Sequence, residues 1–127
     1  MTEKDKIYLY ALSKIKGLSN RNLNRLLDRN LSPEKLFRNF PLNEITSNKK
    51  KNEIENQLKS NKKIEDAKDI INLSNEEDIS ILGQNDGNYP TLLKECIDAP
   101  ALLFTKGNFN LNEKPLLSVV GTRSITN

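Results

Sequence analysis

The chain has no histidine and no tryptophan, and one cysteine and one methionine among 127 residues. Without histidine it cannot build a Ser-His-Asp or Cys-His triad. The usual ligands of a zinc site are missing too. A single cysteine, Cys96, excludes an intrachain disulfide; it reads as a thiol packed in a core, in a reducing cytosol. No apolar run is long enough for a membrane span. The stretch Ile7–Leu12 is short, lacks a small-residue cleavage site and is followed by charge, so no signal peptide is expected. Aromatics are few, with three tyrosines and four phenylalanines, and most fall in apolar patterns that place them in a core.

What is present is a patterned, charged chain. It is 35% hydrophobic and 29% charged, with a formal net charge of +3. This length suits one ordinary domain or two very small ones. A mild basic excess is compatible with a nucleic-acid partner and equally with a lysine-rich solvated surface.

The pattern changes near residue 75. Before it, apolar residues recur at helical spacing. Ile7, Leu9, Tyr10, Leu12 and Ile15 predict a first helix, which Gly17 ends by taking positive φ. Ser19 or Asn20 caps a second helix carrying Leu23, Leu26 and Leu27, with Arg21, Arg25 and Arg29 four apart on another face. Asn30 terminates it. Ser32-Pro33-Glu34 is a helix start, a capping hydroxyl and then proline. Leu36, Phe37 and Phe40 give that third helix its apolar side, and Pro41 closes it. Residues 47–63 are rich in lysine and asparagine, yet Ile54, Leu58, Ile64, Ala67, Ile70 and Ile71 keep the rhythm of a long charged helix broken in its middle. The lysines read more readily as a solvated face than as a binding face.

After Asn75 the signals are those of strands and turns. Ile79–Leu82 alternates, Asn85–Asn88 is turn chemistry, and Tyr89-Pro90 opens a short helix. Ala99-Pro100 breaks the chain, Ala101–Phe104 is a second strand ending at Lys106-Gly107, and Leu116–Val120 is a third. The expected fold is therefore a mainly α N-terminal domain over residues 1–74, followed over 75–127 by the first strands of an α/β domain. Those strands are expected to be incompletely paired, since a parallel sheet takes its partners from later crossovers.

Two motifs carry chemistry. The turn Ile15-Lys16-Gly17-Leu18-Ser19 joins two helices, and free N–H groups at the second helix can meet a nucleic-acid phosphate without reading sequence. Lys16, Arg21 and Arg25 add charge. This element resembles a helix-hairpin-helix of the kind found in SAM-like domains, with Ser19 where a second glycine is usual; a plain corner in a small bundle is the open alternative. The second motif is Val119-Val120-Gly121-Thr122-Arg123-Ser124. Glycine lets a backbone approach an anion closely, N–H groups opening a helix can bind it, and arginine offers a planar fork that fits a phosphate. An ordinary strand end with a tight turn is the alternative here.

In order along the chain, Tyr89-Pro90, Asp98 before Ala99-Pro100, Leu102-Leu103 ending in Lys106-Gly107, and then Val120-Gly121-Thr122-Arg123-Ser124 resemble the DprA (Smf) family of DNA-processing proteins. The helical first part matches that family's SAM-like domain in size and position. The resemblance implies a non-enzymatic, cytoplasmic protein of natural transformation with no cofactor and no metal. Such a protein binds and protects incoming single-stranded DNA and helps load the RecA recombinase on it. It also implies an extended Rossmann domain that forms a homodimer in the full-length protein, of which this chain holds only the opening strands. The phosphate-contacting loop falls on Gly121, Thr122, Arg123 and Ser124, with Lys106, Lys16 and Arg21 as further nucleic-acid contacts. Two other readings stay open. A Gly-Thr-Arg loop after a Rossmann strand also resembles nucleotide or phosphoribosyl hydrolases of the lysine-decarboxylase-like type, and the helical part could serve only as an interaction module.

Overall fold

The computed structural model of the chain describes residues 1–107 and Asn112. Five helices come first: α1 (Glu3–Ser13), α2 (Asn20–Leu27), α3 (Pro33–Arg38), α4 (Asn48–Lys59) and α5 (Lys62–Glu76). Strand β1 (Ile79–Gly83), a single-turn helix α6 (Thr91–Lys94) and strand β2 (Leu102–Lys106) follow. The described chain is thus mainly helical, with the beginning of an α/β arrangement after it.

Local chemistry sets the helix ends. Thr2 and Asp5 form a reciprocal cap on α1, each side chain accepting the other's backbone N–H at 3.1–3.2 Å. Ser19 caps α2 by accepting from the Asn22 N–H, and Ser32 caps α3 by accepting from the Lys35 N–H, with Pro33 in the first turn. Gly17 sits in the α1–α2 turn at φ +95°, and Asn30 takes φ +59° just past α2, so both predicted stops use the left-handed region. Ile15 lies beyond the end of α1, in the turn, and is still buried. The predicted long charged helix is two helices, α4 and α5, with an extended Ser60 between them. Lys63 of α5 donates to the Lys14 carbonyl at 3.0 Å, placing a cation at the C-terminus of α1.

Helix α1 runs through the middle of the molecule and packs on α5, α3, α2 and β2. One buried cluster joins Leu9 and Leu12 of α1, Leu23 and Leu26 of α2, Leu36 and Phe37 of α3, Ile54 of α4, and Ala67 and Ile71 of α5. The same cluster takes in Ile81 of β1 and Ala101 and Leu102 beside and in β2. Tyr89 is almost fully buried as well.

The strand pairing departs from the parallel arrangement expected. β1 and β2 pair antiparallel through five residues, from Ile79 opposite Lys106 to Gly83 opposite Leu102. The reason is the connection between them. Asp86 accepts the Gly83 N–H at 2.7 Å and returns its own N–H to the Gly83 carbonyl, so the chain turns sharply off β1. After α6 it turns again at Ala99-Pro100 and comes back beside β1 in the opposite direction. The predicted third strand, Leu116–Val120, lies outside the described residues.

Candidate nucleic-acid interface

The α1–α2 turn is closed by a residue 41 positions away. The Gln57 side chain of α4 accepts the Lys16 N–H at 2.8 Å and donates to the Lys16 carbonyl at 2.9 Å. One amide thus satisfies both backbone groups of Lys16 and removes its N–H from the donors available to a phosphate. The Lys16 side chain stays exposed. At Gly17 a Cβ would only touch Ile54 and Glu53 at ordinary distances; glycine is required there by its positive φ rather than by space.

The three arginines of the α2 region divide. Arg29 forks onto Glu44 through two hydrogen bonds of 2.7 and 2.5 Å. This hydrogen bonding holds the Glu44 carboxyl below its usual value, and the charges of Arg29 and Arg25 act in the same direction. Arg21 and Arg25 are exposed and make no ion pair among the described residues. Two concavities flank them. One, of about 420 Å³, lies between α2 and α6 and is lined by Arg21, Arg25 and Lys94 among others. The other, of about 270 Å³, lies between α2, the α1–α2 turn and the start of α4, and is lined by Arg25 and Lys50 among others. Lys16 lines neither.

The corner between α6 and β2 is built by amides and one phenol. Asn24 of α2 donates to the Ile97 and Ala99 carbonyls at 3.2 and 2.8 Å and accepts from Gln84 at 3.0 Å. Tyr89 donates its hydroxyl to the Pro100 carbonyl at 2.7 Å, so Tyr89-Pro90 is a packing corner. Burial pushes that hydroxyl above its usual value of 10.0, which keeps the proton on the donor. Asn112 clamps the same corner from the far side: its oxygen accepts the Thr91 N–H at 2.8 Å and its nitrogen donates to the Tyr89 and Gly87 carbonyls. Polar amides on helix faces and in loops give no sequence signal that separates them from solvated residues, and Gln57, Asn24, Gln84 and Asn112 were all illegible for that reason.

Cys96 corrects an expectation. It is exposed rather than packed in the core. The turn that follows α6 faces outward, and Ile97 beside it is 66% exposed. Of the predicted contacts, Lys106 sits exposed at the last position of β2. Lys16 lies in the α1–α2 turn, Arg21 in α2 and Lys106 in β2. Gly121, Thr122, Arg123 and Ser124 lie outside the described residues. Among the described residues no group of three or more Cys, Asp or Glu side chains is placed to hold a metal ion. None of the described helices is long and apolar enough to cross a membrane.

Residues 80–127 match the family model described as DNA recombination-mediator protein A, which supports the DprA resemblance over that segment. The match takes in β1 from Ser80, the Asp86 turn, the Tyr89 corner, α6, β2 and the sequence Gly121-Thr122-Arg123-Ser124. No curated protein and no solved structure matches the chain.

Proposed function

We propose that this chain is part of a cytoplasmic, sequence-independent single-stranded DNA-binding protein of natural transformation, which protects incoming DNA and helps load the RecA recombinase on it. In this reading residues 1–74 are a SAM-like helical domain and residues 75–127 open an extended Rossmann domain that dimerises in the full-length protein. The observation that carries the proposal is the recombination-mediator match over residues 80–127, a segment that includes the Gly-Thr-Arg-Ser loop.

The mechanism is electrostatic. Gly121 lets the backbone approach a phosphate, Thr122 and Ser124 offer hydroxyls, and Arg123 supplies the planar fork. Lys106, Lys16 and Arg21 add cations that have no ion-pair partner among the described residues. Affinity then depends on counterion release rather than on base sequence. Stacking on aromatics contributes little: Phe37 and Tyr89 are buried, Tyr8, Tyr10 and Phe40 are half-buried, and among the described aromatics Phe104 alone is exposed.

Mobility shift of labelled oligonucleotides tests this. Single strands should be retarded in preference to duplex of the same length, and Arg123→Ala should weaken binding equally for all sequences. Unchanged binding by that variant would take Arg123 out of the account. Release of ribose 5-phosphate from a nucleotide would instead support the hydrolase reading.

A further inference from the structure

We propose that the arginine face of α2, together with the two concavities beside it, is a phosphodiester-binding track for single-stranded nucleic acid, built from residues outside the Gly121–Ser124 loop. The proposal rests on the DNA-binding reading above and assigns it a second surface.

The two concavities adjoin, since both are lined by Asn22 and Arg25. Lys94 stands at the α6 side of one and Lys50 at the α4 side of the other. Lys94, Arg21, Arg25 and Lys50 thus run across three elements, all exposed and none ion-paired among the described residues. Arg21 and Arg25 are one helical turn apart, a rise of about 6 Å, which is comparable with the separation of successive phosphates in an extended strand. Three carboxylates also line the path, Asp28 and Glu95 in the larger concavity and Glu44 in the smaller. Glu44 is already neutralised by the Arg29 fork, so the path keeps a positive excess.

A row of cations along two neighbouring hollows suits a chain-like polyanion better than a single ion. The rim also offers Ile97, 66% exposed, an apolar surface that an unpaired base can cover and a paired one cannot. The path is held in shape by Asn24, whose bonds to Ile97, Ala99 and Gln84 tie α2 to the α6–β2 turn.

Fluorescence anisotropy of a labelled oligothymidylate at low salt tests the track, using the full chain and three double variants that each remove two exposed cations. R21Q/R25Q alters the helix face, K50Q/K94Q alters one end of each hollow, and K62Q/K68Q is the control on α5. The first two should each weaken binding about fivefold or more and make the log–log salt slope shallower by about 1.4, while the control changes affinity less than twofold. Equal losses in all three variants, or none in the first two, would overturn the track. If Arg123→Ala weakens binding while R21Q/R25Q and K50Q/K94Q do not, the DNA-binding reading survives without this surface. Absence of any oligonucleotide binding by the unmodified chain would remove both. Poly-glutamate of equal charge binding as tightly as the oligonucleotide would overturn the assignment to nucleic acid.

Discussion

In the α1–α2 turn the Gln57 side chain occupies both backbone groups of Lys16. Replacing it with alanine leaves that N–H and C=O to water. Each such bond is worth about 1 kcal/mol net. Gln57→Ala should therefore lower unfolding stability by about 1–2 kcal/mol in a urea titration and should speed hydrogen exchange at the Lys16 amide. An unchanged Lys16 exchange rate would show that the clasp does not form in solution. At this scale the sequence is legible where the chemistry is local. Ser19, Ser32 and Gly17 act on backbone within a few residues, so their roles can be read directly. Gln57 acts across 41 positions, and Asn24 reaches 75 to Ala99, distances over which residue type alone says nothing. Cys96 was misread for the same reason: exposure is decided by the path of the chain around α6, and not by the thiol.

The elements are joined at the surface by ion pairs with a definite pH signature. Glu34 of α3 accepts from Lys4 of α1 at 2.7 Å and from Arg38 at 3.1 Å. The hydrogen bond from Lys4, with that from Arg38 adding to it, holds the Glu34 carboxyl below its usual 4.5. Arg29, two residues past the end of α2, does the same for Glu44 of the 3-10 turn Leu42–Glu44. A carboxyl lowered in the folded state binds its proton less readily there than in the unfolded chain. Its stabilisation is complete above the unfolded value and is lost as pH falls through the folded one. Thermal melting should therefore be level between pH 7 and about 5.5 and should fall below about pH 4.5. The double variant Glu34→Gln/Glu44→Gln should melt lower at neutral pH and change less in acid; parallel melting curves across that range would contradict this. Element types and most boundaries followed from periodicity and caps. Strand direction did not, because it is set by how the Asp86 turn and the Ala99-Pro100 corner return the chain, and neither turn states its geometry in residue types.

At the scale of the whole molecule, the described helices and strands share one buried cluster, in which Ile71 of α5 lies with Ile81 of β1 and Leu102 of β2. The change of pattern near residue 75 marks a change of secondary structure, while the core continues through it. The DprA resemblance was legible because its motifs keep their order from Tyr89 to Ser124, in the segment that matches the recombination-mediator family. The cations of the α2 face could not be grouped beforehand. Arg21 and Arg25 are visible as a helical pair, but Lys94 joins them only because Asn24 and Gln84 bring the α6 turn against α2.

The most direct test of the account is the salt dependence of oligothymidylate binding to the full chain, measured beside duplex of the same length. The account predicts tighter binding of the single strand, with log affinity falling linearly with log salt at a slope of about −0.7 per phosphate contacted. Affinity that does not change with salt, or binding confined to duplex, would contradict it.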